Sequence, residues 1–222
     1  MRNPLKLWLP LAFAALALTP ALAAAGPAKL LCKPSDLPTV CTGTSSGDSI
    51  TTGNGDDVIN SGSGDDRINS QGGNDRDYGG DGNDTIHGGR GSDQLFGQGG
   101  RDILLGDETG PGGNDVLHGG SGDDRIFGLA GDDVLYGDSG NDVLHGGDGV
   151  DRMYGGAGND TLDDAPRSQQ NSDYYNGGPG NDTIFSRDGH RDTVVCGSGS
   201  DTALVDHKDK VAHDCERVVR IG

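Results

Sequence analysis

Gly79-Gly80-Asp81-Gly82-Asn83-Asp84-Thr85-Ile86-His87 decides how this sequence folds, and residues 88–96 repeat its pattern at once. Glycine fills three of the first six places, aspartate the sixth and a large apolar residue the eighth. Gly reaches φ > 0 at little steric cost, so the first six residues read as a turn that leaves its carbonyls free. The x-U-x that follows points one side chain inward and two outward, a minimal strand of period two. The unit is therefore G-G-x-G-x-D-x-U-x. Residues 119–127, 146–154, 155–163 and 177–185 are further clean copies.

Outward from that stretch the period holds. Aspartates fall at Asp48, Asp57, Asp66, Asp75, Asp84, Asp93 and Asp102, then at Asp115, Asp124, Asp133, Asp142, Asp151 and Asp160, and again at Asp173, Asp182, Asp192 and Asp201. Of the sixteen intervals, thirteen are nine residues, two are thirteen and one is ten. The residue two places on is apolar or aromatic in sixteen of seventeen cases, Asp77 being the exception. The residue two places before is Gly in fourteen. A flexible Gly/Asp-rich linker would share this composition but not the regular apolar placement, which marks a packed repeat.

The unit resembles the RTX, or hemolysin-type, calcium-binding nonapeptide, over roughly residues 43–204. The resemblance implies an all-β fold: a parallel β-roll solenoid in which two repeats complete one turn. At about 4.8 Å per coil, seventeen repeats give roughly eight coils and a rod of about 40 Å. It also implies multiple Ca²⁺ ions held between turns of adjacent coils by sixth-position carboxylates and glycine carbonyls. Asp84 would share an ion with Asp102, Asp124 with Asp142, Asp133 with Asp151 and Asp142 with Asp160. The full candidate set is Asp57, Asp66, Asp75, Asp84, Asp93, Asp102, Asp115, Asp124, Asp133, Asp142, Asp151, Asp160 and Asp182. To these are added Gly80, Gly82, Gly89, Gly91, Gly120, Gly122, Gly147, Gly149, Gly156 and Gly158.

Chemistry agrees with the resemblance. Calcium takes 6–8 oxygen ligands, carboxylates and backbone carbonyls among them, whereas magnesium keeps its waters and zinc prefers His and Cys. One inward apolar residue per nine is too little to offset the entropy of ordering nine, and stacked carboxylates repel. The repeats are therefore expected to be largely disordered without a cation, with metal binding supplying the folding free energy. Affinity is expected in the extracellular-module range, about 10⁻⁴ to 10⁻³ M, and cooperative because each coil templates the next.

Bulk composition narrows the classes of function. Gly numbers 42, aromatics are 5% and formal net charge is −18. So acidic a chain repels nucleic acids and anionic membranes, so neither nucleic-acid binding nor membrane insertion is expected. Residues 1–25 read as a secretory signal: Arg2 and Lys6, an apolar run from Leu7 to Leu18, then Ala21-Leu22-Ala23 as the small-x-small cleavage pattern. Its loss removes two positive charges, so −18 − 2 gives −20 for a secreted, extracellular chain. The four cysteines allow three pairings, and proximity suggests Cys32 with Cys41 and Cys196 with Cys215. On this reading 26–42 and 205–222 are small disulfide-tied end caps, and 43–204 is the repeat body.

Three departures stand out. Asp77 occupies an apolar slot, where a buried carboxylate is costly; the coil is strained or Tyr78 substitutes. Two insertions of four residues interrupt the period. One holds Glu108-Thr109-Gly110-Pro111, and the other lies within 164–176 with Pro166, Arg167, Gln169 and Gln170. Both are expected to bulge from one face.

No enzyme is expected. H-E-x-x-H and G-x-S-x-G are both absent. His87, His118 and His145 fall at the outward ninth place. Recurring pairs such as Asp56-Asp57 read as turn chemistry rather than a glycosidase pair, and Asn83-Asp84-Thr85 matches a glycosylation sequon only because the repeat creates it. The function expected is a secreted calcium-binding protein. The alternative is a calcium-dependent adhesin or matrix component that meets polysaccharide or protein.

Overall fold

A computed structural model describes residues 28–32, 37–107, 112–164 and 171–221. The signal-like residues 1–25, Glu108 to Pro111 of the first insertion, and Pro166, Arg167, Gln169 and Gln170 of the second lie outside the described residues.

Every described repeat contributes one strand, and successive strands alternate between two all-parallel sheets. The eleven-stranded sheet holds β1 (Ala28–Leu31), β3 (Asp48–Thr51), β5 (Arg67–Asn69), β7 (Thr85–Gly89), β9 (Ile103–Asp107), β11 (Arg125–Ala130), β13 (Val143–Asp148), β15 (Thr161–Asp163), β17 (Thr183–Ser186), β19 (Thr202–Val205) and β21 (Arg217–Arg220). The ten-stranded sheet holds β2 (Val40–Thr44), β4 (Val58–Gly62), β6 (Arg76–Asp81), β8 (Gln94–Gly99), β10 (Val116–Ser121), β12 (Val134–Ser139), β14 (Arg152–Tyr154), β16 (Tyr174–Pro179), β18 (Thr193–Ser198) and β20 (Lys210–Val211). Val116 pairs with Val134 and Leu117 with Leu135, so one coil is two repeats, as the resemblance implied. The register survives the insertions: Asp102 N–H still reaches Asp124 Oδ1 at a separation of 22.

The stack runs to about ten coils rather than eight. Strands β1 and β2 precede the clean repeats, and β20 and β21 follow them, each pairing in parallel with the sheet behind. Disulfides join Cys32 to Cys41 and Cys196 to Cys215, the pairing proximity suggested. Among the described residues there is no helix.

One column of eighth-position side chains fills the space between the sheets. Ile59, Ile86, Leu95, Leu104, Leu117, Ile126, Leu135, Leu144, Met153, Leu162, Ile184 and Val194 are all fully buried. Asp77 stays in this column, also fully buried, so Tyr78 does not replace it. The Ser70 hydroxyl, from the first place of the same repeat, donates to Asp77 Oδ2. Burial pushes the Asp77 carboxyl well above the usual carboxylate range, although the Ser70 bond pulls the other way.

Tyr78 instead joins a stack on the outer face of the ten-stranded sheet. Tyr78, Phe96, His118, Tyr136 and Tyr154 lie 4.4–5.3 Å apart, centroid to centroid, with their planes within about 11° of parallel. Parallel strands place ninth-position rings one above another at the inter-strand spacing. The rings therefore cover one another's faces and turn their edges to solvent. His145 stacks on Phe127 in the other sheet.

Candidate metal centre

The sixth-position aspartates form two files along the roll. In one, backbone N–H groups donate to the Oδ1 of the aspartate one coil on, running Asp48, Asp66, Asp84, Asp102, Asp124, Asp142, Asp160, Asp182 and Asp201. The other runs Asp57, Asp75, Asp93, Asp115, Asp133, Asp151, Asp173 and Asp192 by the same bond. Thus the pairs named from sequence, Asp84 with Asp102, Asp124 with Asp142, Asp133 with Asp151 and Asp142 with Asp160, do stand beside one another, at 2.8 Å from N to Oδ1.

The second carboxylate oxygen tells more. In fifteen of these seventeen aspartates, Oδ2 is buried and has no hydrogen-bond donor. A buried polar atom without a partner is costly, and a charged one more so. The two exceptions are informative. Asp192 Oδ2 accepts the Ser186 hydroxyl at 2.7 Å, so both its oxygens are bonded, whereas Asp48 Oδ2 accepts the Thr44 N–H and hydroxyl and leaves Oδ1 as its buried oxygen without a donor. Hydroxyl-bearing residues thus serve near the two ends of the roll.

Between those ends the first place is Gly in ten of fourteen repeats, the others being Thr52, Ser61, Ser70 and Asp164, and the glycines have a geometric reason. A Cβ on Gly79 would collide with Asp84 Oδ2 and lie 2.9 Å from the Gly97 carbonyl oxygen. The same holds for Gly88 with Asp93 Oδ2 and the Gly106 oxygen. The free carboxylate oxygen and a carbonyl of the next coil therefore converge on a place kept clear of side chains. The second- and fourth-place glycines, Gly80, Gly82, Gly89, Gly91, Gly120, Gly122, Gly147, Gly149, Gly156 and Gly158, all have φ between 103° and 142°. A Cβ on any of them would strike a backbone carbonyl of the preceding coil.

Electrostatics follow from this crowding. Burial is the first cause in each case, and neighbouring carboxylates add to it in all but Asp160. Asp115 and Asp151 are pushed up to about 8, Asp75, Asp84, Asp133 and Asp142 to about 7, and Asp93, Asp102, Asp124, Asp160 and Asp182 to about 6. The bond from the preceding coil's N–H opposes the rise in all eleven.

Three features were not read from sequence. Glu216 ends the first file by accepting the Asp201 N–H, and Asp209 ends the second by accepting the Asp192 N–H. A third, exposed ladder runs along the fifth places, where Asp56 Oδ1 accepts Asn74 N–H and Asn141 Oδ1 accepts Asn159 N–H. This ladder occupies the Asn83 amide: its Nδ2 donates to Asp65 Oδ1 while its Oδ1 accepts the Arg101 N–H. The paired acids, Asp56-Asp57 among them, are thus one outward ladder residue beside one inward file residue. The recurrence of Asn and Asp at this place was the available signal.

The family model of the RTX calcium-binding nonapeptide repeat (4 copies) matches residues 42–77, 78–108, 109–144, 127–162 and 170–203, well over half of the chain. The chain belongs to this family. It is a calcium-binding RTX β-roll. No curated protein matches it. No helix among the described residues is long and apolar enough to cross a membrane.

The residues fit the ion that the family implies. The donors that converge are all oxygen, carboxylate and carbonyl, which suits a hard divalent cation. The buried Oδ2 atoms have no protein donor to offset their charge. Zinc would call for imidazole or thiolate, and all four cysteines are in disulfides.

Proposed function

We propose that this chain is a secreted protein whose repeat rod folds as it takes up several Ca²⁺ ions from an extracellular medium. The observation that carries the reading is the row of buried Oδ2 atoms without donors, one per repeat, along both files. A roll with that many desolvated, mutually repelling carboxylates is unfavourable alone and becomes favourable once a divalent ion bridges each pair of coils. The ligands proposed are the file aspartates from Asp57 to Asp160 and Asp182, with the carbonyls of second- and fourth-place glycines such as Gly80, Gly82, Gly147 and Gly149. Asp192, bonded at both oxygens, stands outside this set, as does Asp48, which begins its file.

Low calcium inside a cell would keep the chain extended for export, and millimolar calcium outside would close the roll. The segment 1–25 supplies the export signal, and 26–42 and 205–222 close the two ends of the repeat body 43–204. The role is calcium-dependent scaffolding rather than catalysis. An adhesin that gripped sugar rings would want exposed aromatic faces, but the ninth-position rings from Tyr78 to Tyr154 cover one another. Equilibrium dialysis against radiolabelled calcium tests the binding. Several ions per chain, taken up cooperatively near millimolar concentration and not displaced by equal magnesium, are expected. Uptake of one ion or none contradicts the reading.

A further inference from the structure

The second insertion interrupts the glycine rule in an informative way. Asp164 stands at the first place of its repeat, where Gly146 and Gly155 stand in the coils before it. In those coils the first-place glycine abuts Oδ2 of its own sixth-position aspartate. Asp164 therefore brings a carboxylate, instead of a hydrogen, against Asp173. Its Oδ1 accepts the Gly147 N–H at 2.8 Å.

A third carboxylate arrives from the next coil of the same file. The interval from Asp182 to Asp192 is ten residues, and this longer turn carries Asp188. Its side chain is 5% exposed, and it is fixed by one residue: His190 donates its N–H to Asp188 Oδ1 at 2.7 Å, with its ring Nδ1 2.9 Å from Oδ2. Since a carboxylate only accepts, Nδ1 carries the proton. Asp164, Asp173 and Asp188 each offer an oxygen within 4.8 Å of the others, a meeting of three found nowhere else among the described residues.

A separate observation marks the cluster as more than crowded acids. Asp173 is 2% exposed. Its Oδ1 takes the Asp151 N–H, its Oδ2 has no donor, and its carboxyl lies against that of Asp164. Asp192, the next aspartate of the file, meets the same need with Ser186. At Asp173 the neighbour is a second acid, which cannot serve unless a proton or a cation stands between them. We propose that Asp164, Asp173 and Asp188 form a distinct three-carboxylate calcium site, held in place by His190, that binds hard cations more tightly than the repeat sites. Two of its three ligands, Asp164 and Asp188, are not sixth-place aspartates, so it goes beyond the function proposed above. With more formal charge than a repeat site, it favours a trivalent ion most strongly, since ligand charge count tunes such affinities. Tyr175, buried in the core and two residues along the chain from Asp173, supplies the light-harvesting antenna.

The test is terbium(III) luminescence, excited through tyrosine, on the full chain saturated with calcium. One equivalent of terbium should give strong emission, lowered at least ten-fold by Asp188→Asn and by Asp164→Gly. The second variant restores the consensus glycine and so protects the fold, which circular dichroism at saturating calcium checks for both. Emission from folded Asp164→Gly or Asp188→Asn equal to that of the parent overturns the proposal. So does parent emission that grows evenly over many equivalents, because the first terbium would then have no preferred site. If these results come from a chain that still takes up several calcium ions, only this site is lost and the repeat reading stands. A chain that takes up no calcium loses both.

Discussion

Asp102 receives the Asp84 N–H at 2.8 Å on Oδ1, while its Oδ2 is buried and receives nothing. One carboxylate thus has a structural oxygen and a spare one, and the roll repeats this division along both files. Asn in place of Asp keeps the amide oxygen that accepts the N–H but removes the charge. Asp142→Asn, in mid-file, is therefore expected to weaken the calcium-loaded roll by about 1.5–3 kcal/mol and to raise the calcium midpoint roughly ten-fold or more. Asp192→Asn, where the Asp173 N–H and the Ser186 hydroxyl already bond both oxygens, should do several-fold less. Calcium titrations followed by calorimetry compare the two; equal effects would contradict the division of labour.

Acidity should act in an unusual direction when calcium is withheld. The folded carboxyls of Asp115 and Asp151 sit near 8, and those of Asp84, Asp133 and Asp142 near 7, against an ordinary 3.8. Between those values the folded chain holds more protons than the unfolded chain, so stability falls as pH rises. The calcium-free roll should gain β signal on going from pH 8 to pH 5. Protons and calcium compete for the same oxygens, so the calcium midpoint should move to lower concentration as pH rises from 6 to 8. More β structure at pH 8 than at pH 5 in chelator would reverse the sign and refute the account.

Asp77 gives a test inside the core. It is fully buried in the column that Ile59 and Leu95 share, with Oδ1 unbonded and Ser70 on Oδ2. Asp77→Ile removes an unsatisfied buried oxygen and adds apolar burial, so it should stabilise the calcium-loaded roll by about 2–3 kcal/mol. Thermal unfolding in calcium reads this as a raised Tm. A lowered Tm would mean that the carboxylate has a role that packing does not reveal.

Backbone strain is concentrated at four second places. Gln71, Gln98, Leu129 and Asp138 have φ between 69° and 78°, where most other repeats place Gly. Leu129 is also 38% exposed, so its side chain contributes little. Leu129→Gly should raise stability by about 0.5–1 kcal/mol, the left-handed penalty less the entropy of Gly. Gly147→Ala, at φ 115° with a Cβ driven into the Leu129 carbonyl, should destabilise strongly. Urea midpoints in calcium, measured side by side, should order the variants that way around the parent chain.

The β-roll was legible because its signal is redundant. Ile86, Leu95, Leu104 and their relatives each repeat the same vote, and all lie in the single buried column. Both files were legible too, since a period of nine with two repeats per coil sets Asp84 beside Asp102. What escaped lies where the period breaks. Glu216 and Asp209 close the files from separations of 15 and 17 residues, not 18, so no sequence spacing marks them. Asp188 meets Asp164 and Asp173 only because a ten-residue interval and an insertion bring unequal coils into one stack. For Asp77, sequence identified the conflict but not its resolution, which depends on Ser70 standing within reach.

The central claim is that divalent ions, through spare carboxylate oxygens, hold together a roll too poor in apolar contacts to stand alone. Far-UV circular dichroism of the chain, first in excess chelator near neutral pH and then through a calcium titration, tests it most directly. The account predicts a coil spectrum in chelator and a cooperative rise of β signal as calcium reaches millimolar levels. A full β spectrum and an unchanged Tm in chelator would contradict it.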